Sequence, residues 1–191
     1  MRRLTLFRMW RRLAADRRGV SAVEFALISP VFCLILVATI DIGGALLTKY
    51  RLDAAVAAGL NYAQVNGPNL SASTAPTLAA AIANLIHTGQ GSAWADVAVV
   101  VNDGASATVV AGAASTGGTA ANADRCYCPT GAAGAMTWGA PVTCGSVCPG
   151  VDKGYGGKFV TILASRTYTP LMTTFGLVRN PITASATAQV Q

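Results

Sequence analysis

Titratable side chains are scarce in this chain. His87 is its only histidine, and aspartate and glutamate together number 8 among 191 residues. One histidine without an acid cluster offers neither a zinc triad nor a Ser-His-Asp arrangement. Near the end of a helical pattern, His87 reads as a helix-end capping or surface residue. The glycine-rich stretch Asp152–Lys158, DKGYGGK, lacks the spacing of a phosphate loop and the Ser/Thr that would follow it. Trp10, Trp94 and Trp138 are scattered, so no stacking platform for nucleic acid forms. No catalytic residue, metal site or cofactor is expected, and the chain does not read as an enzyme.

What is abundant is apolar surface. Hydrophobic residues make up 52% and charged residues 12%. The charge is also uneven. Residues 1–18 hold seven arginines against Asp16, whereas residues 19–191 hold seven Lys/Arg and seven Asp/Glu, which cancel. The net +6 therefore belongs to an N-terminal arm. Such an arm can bind nucleic acid. Here it directly precedes an apolar span, the place where Lys/Arg hold an N-terminus in the cytoplasm, and no nucleic-acid partner is expected.

From Gly19 to Ile40 the only ionisable side chains are Glu24 and Cys33, and residues 25–40 read FALISPVFCLILVATI. Twenty-two helical residues span ~33 Å, enough for a hydrocarbon core. Pro30 removes one backbone donor and crowds the carbonyl of Ala26, so a kink is expected there. Asp41 closes the span. A cleaved signal peptide is the rival reading, but the run is long and no small-x-small site follows promptly. A single-pass anchor with the N-terminus inside and the C-terminal part outside fits better. Glu24 is the oddity, a carboxylate on the apolar side of the border. Taken alone, it reads as an interfacial group that snorkels.

The helix should continue past the membrane. Leu52, Val56, Gly59/Leu60 and Ala63 share one face, and the alanines between them favour helix. Asn66-Gly67-Pro68-Asn69 should end it, and Gly43-Gly44 offers a place to bend. A short helix follows, with Leu78, Ile82, Leu85 and Ile86 on one side. Residues 96–111 read as a hairpin turning at Asn102–Gly104. Residues 111–157 read as a long Gly/Ala/Ser/Thr loop, and two strands close the chain. The last alternates, with Ile182, Ala184, Ala186, Ala188 and Val190 on one face. The expected organisation is a basic leader (1–19), a transmembrane helix (20–41), its exposed continuation (42–66) and an extracytoplasmic head (67–191). The fold class is α+β, a long N-terminal helix under a small antiparallel sheet.

Cys126, Cys128, Cys144 and Cys148 form a C-x-C-x15-C-x3-C pattern. Zinc sites usually repeat C-x2-C, so two disulfides in an oxidising compartment are the better reading. Cys126–Cys128 is geometrically poor, which leaves two pairings across the loop. Cys33 reads as a small apolar filler in the membrane.

The stretch RRGVSAVEFALISPVFCLILVATIDIGGAL resembles the N-terminus of TadE/TadG-like proteins, minor pseudopilins of Tad (Flp) pilus assembly. The downstream LDAAVAAGLNYAQ is similar to the Ala-rich helix of that family, and VTILASRTYTPLMTTFGL with ITASATAQVQ to its terminal strands. The resemblance implies a pilin-like fold and a prepilin peptidase cut after Gly19, which makes Val20 first and Glu24 fifth in the product. It implies further partners: the cytoplasmic membrane, other pilin-like subunits and the pilus assembly machinery. Val20 departs from the Phe or Met common at that position in classical pilins. The competing readings are an unrelated single-pass anchored protein whose head binds an extracytoplasmic ligand, and an exported thiol or metal enzyme using the Cys loop.

Overall fold

The computed structural model describes residues 19–191 apart from 92, 151–153, 173–175 and 177. The arginine arm with Trp10, and Asp152 and Lys153 of the glycine-rich stretch, lie outside the described residues.

One helix dominates the chain. Helix α1 runs Val20–Asn66, 47 residues, and passes through Pro30 without interruption. At 1.5 Å per residue it is ~70 Å long. Its two halves differ in what surrounds them. In the first half apolar side chains stand open, with Phe25 and Leu27 each 73% exposed. Among the described residues α1 is the one helix long and apolar enough to cross a membrane. In the second half Leu52, Val56 and Ala63 are buried at the i, i+4, i+11 spacing of one helical face. Burying each large aliphatic side chain contributes about 1.5–3 kcal/mol.

The helix ends where the backbone can no longer continue it. Gly67–Asn69 forms a 3-10 turn with Pro68 inside it, and proline lacks the N–H the next helical bond would need. Helix α2, Ala75–Thr88, then returns along α1 with Leu78, Ala79, Ile82, Ala83 and Ile86 buried.

The sheet has five strands: β1 (Asp96–Val101), β2 (Ser106–Val110), β3 (Ala113–Gly117), β6 (Phe159–Arg166) and β7 (Ile182–Gln189). Their order is β3-β2-β1-β6-β7, every neighbouring pair antiparallel. Helix α1 packs on β6 and β7, and α2 on β1 and β2. Val97, Val99, Val101, Val160, Ile162, Ala164, Ile182 and Ala184 form the core between the layers. Gly59 lies at its centre. A Cβ there would stand 2.8 Å from Ile86 Cδ1 and 3.2 Å from Ile162 Cδ1, so glycine sets how closely α1 approaches.

The segment 111–157 is more ordered than a loop. It supplies β3, a 3-10 turn (Ala120–Asp124) and a small hairpin of β4 (Thr130–Ala132) and β5 (Ala135–Thr137). Strand β3 is exposed along its whole length, so no alternation marks it in the sequence. Its register comes from backbone pairing with β2 and from the tight Ala111-Gly112 turn, both residues at positive φ. The β4–β5 hairpin covers the outer sheet face, where the Thr161 hydroxyl lies 3.0 Å from Met136 Sδ.

Candidate functional site

Three places in the fold carry chemistry that packing alone does not require. The first is the start of α1. Gly19 is its N-cap residue and Val20 its first helical residue, so Glu24 is the fifth. The Glu24 side chain is exposed and makes no ion pair among the described residues. A helix start leaves four N–H groups without intrahelical partners.

The second is the point where the head meets α1. Asp41, the first residue after the apolar run, is only 1% exposed. Its Oδ1 accepts the backbone N–H of Leu171 at 2.7 Å, and its Oδ2 that of Met172 at 3.0 Å. A buried carboxylate is tolerable when its lone pairs are satisfied in this way. One turn further on, the Tyr168 hydroxyl packs against Gly44, where any Cβ would collide with it. Asn180 closes the segment by accepting the Tyr168 N–H at 2.9 Å and donating to the Tyr168 carbonyl at 2.5 Å.

Sequence reasoning took Asp41 for the boundary of the span and missed its partners. They lie 130 residues away, and no local pattern announces them. His87 also differs from the expectation. It is buried, with Nδ1 2.5 Å from the Ala95 carbonyl, because the chain folds back at once from α2 into β1. Beside it the Arg166 guanidinium stacks over Trp94, 4.9 Å from the ring centroid, and donates to the Trp94 carbonyl.

The third place is the far end of the head. Cys126 bonds to Cys144 and Cys128 to Cys148, one of the two pairings the spacing left open. Asn102, fully buried and at positive φ, holds this clasp to the β1–β2 turn. Its Nδ2 donates to the carbonyls of Asn122 (2.9 Å) and Arg125 (2.5 Å). Tyr127 is buried beneath and meets Trp138 edge-on at 5.9 Å. Among the described residues no group of three His, Cys, Asp or Glu side chains is placed to hold a metal ion.

A long, half-apolar N-terminal helix under an antiparallel-sheet head defines an α+β protein of pilin-like architecture. Residues 19–60 match the family model described as TadE-like protein, so the chain carries a TadE-like domain over that stretch. No curated protein matches the chain, and no solved structure does. The domain covers the apolar half of α1, the Asp41 anchor point and the helix as far as the centre of the core.

Proposed function

We propose that the protein is a membrane-anchored pseudopilin that supports Tad/Flp pilus biogenesis, a structural and interaction protein without catalysis of its own. Residues 20–41 span the cytoplasmic membrane, with the leader 1–19 inside, and the continuation 42–66 and head 67–191 outside. A prepilin peptidase cuts after Gly19, which removes the arginine arm and leaves Val20 first and Glu24 fifth. The Glu24 carboxylate then meets a freed α-amino group, its own or a neighbouring subunit's. An ammonium partner makes a carboxylate at the membrane border tolerable, and the pairing sets the axial register between adjacent helices. Other pilin-like subunits and the assembly machinery are the partners.

The observation that carries this reading is the TadE-like match, which opens at Gly19 and runs through the apolar helix. Supporting it, α1 begins at Val20, the residue that a cut after Gly19 exposes. The test is the mature N-terminus, read by mass spectrometry from cells with and without a prepilin peptidase. A chain beginning at Val20 only when the peptidase is present is the expected result. A chain that keeps its leader in both backgrounds overturns the processing step.

A further inference from the structure

We infer that the underside of the head is a second membrane contact, which rests on anionic phospholipid of the leaflet on the head's side. The inference depends on α1 spanning the bilayer, as proposed above, and adds to it a site in the head.

Height along α1 carries the argument. Strand β6 ends at Arg166, and the start of β7 at Ile182 lies beside Ala45, Leu46 and Lys49 of the helix. From there the chain descends. Tyr168 stands against Gly44, and the Leu171 N–H is tied to Asp41. At 1.5 Å per residue that is ~12 Å below Lys49. A hydrocarbon core of ~30 Å takes ~20 helical residues, so the span 20–41 proposed above has its outer edge near Asp41. The Asp41 bonds therefore hold Leu171 at the edge of the lipid, where its side chain is 70% exposed. The same segment covers the Asp41 carboxylate, which lipid would otherwise meet bare.

Charge and shape give the class of lipid. A groove of about 250 Å³ opens beside this segment, lined by Ile42, Leu46 and Ile182 together with Lys49 and Arg179. Its apolar lining continues the exposed apolar face of α1, a path for an acyl chain, and Arg179 is the cation that a phosphate would meet. Lys49 is already paired with Asp53 at 2.5 Å, and Asp41 is buried beneath the two loop amides, so the charge left to the groove is that of Arg179. Arg179 has no carboxylate partner among the described residues. Cations at a membrane surface favour anionic lipid.

The test uses the full chain in vesicles of phosphatidylcholine, with and without phosphatidylglycerol. In a Cys33→Ser background, Leu171→Cys or Val147→Cys carries an environment-sensitive dye, and brominated lipids quench it. Val147 is a matched control, also 70% exposed but in the disulfide-clasped loop at the other end of the head. The wild-type chain labelled at Cys33 reports whether α1 is in lipid. Quenching about twofold or more stronger at 171 than at 147 is expected. It should increase with phosphatidylglycerol and lose that increase in Arg179→Glu. Equal quenching at 171 and 147 with strong quenching at Cys33 overturns the docking and leaves the anchor standing. No quenching at Cys33 overturns the anchor, and the docking with it. Stronger quenching at 171 that ignores both phosphatidylglycerol and Arg179→Glu overturns the anionic-lipid assignment.

Discussion

Replacing Asp41 by alanine tests whether one carboxylate fixes the underside of the head to α1. The side chain accepts two backbone N–H bonds, from Leu171 and Met172, and is almost wholly buried. Bonds to a charged acceptor contribute about 1.5–3 kcal/mol each. Removing the carboxylate also relieves its desolvation, which offsets part of the sum and leaves about 2 kcal/mol of docking energy. That is a ~30-fold larger population with the segment undocked. Hydrogen exchange of the full chain in detergent micelles reads it directly, because the two amides are the donors. Protection at Leu171 and Met172 should fall by about that factor, while the Val99 amide in β1 keeps its own. Asp41→Asn retains one acceptor and should fall between the two. Unchanged protection in Asp41→Ala would mean that packing around Tyr168 and Asn180 holds the segment without the acid.

Two further substitutions probe the core and the clasp. Gly59→Leu pushes atoms into Ile82, Ile86 and Ile162 and should destabilise the head by about 3 kcal/mol or more. Gly59→Ala should cost about 1 kcal/mol, since its gain in helix propensity offsets part of the crowding. Urea unfolding followed by circular dichroism separates the two variants, and equal midpoints would show that α1 can move away. The Cys128→Ser/Cys148→Ser pair opens a bridge of sequence separation 20. It should lower stability by about 3 kcal/mol and Tm by roughly 6–12 °C. A melting curve identical to that of the oxidised wild type would mean that the clasp does not constrain the unfolded chain.

Features that repeat along the chain were legible in the sequence. The apolar run of residues 25–40, the Leu52/Val56/Ala63 face and the alternation beginning at Ile182 each put one side of an element in a distinct environment. Helix and strand periods translate that directly into structure. The TadE-like stretch was legible for a related reason, since its residues are contiguous. Strand β3 was not legible, because its side chains are exposed on both faces and what holds it is backbone pairing with β2, joined by one Thr108–Ser115 hydroxyl contact.

The sequence alone determined the long helix, its division into an open apolar half and a packed half, and the presence of a cysteine clasp. Local period, composition and spacing suffice for such features. Tertiary structure decided which cysteines pair, why Asn102 is buried, and what Asp41 does. Each of those depends on a partner brought from far along the chain. A carboxylate at residue 41 looks the same in sequence whether it faces water or two amides 130 residues away. Only the folded path of the chain from β6 to β7 distinguishes the two.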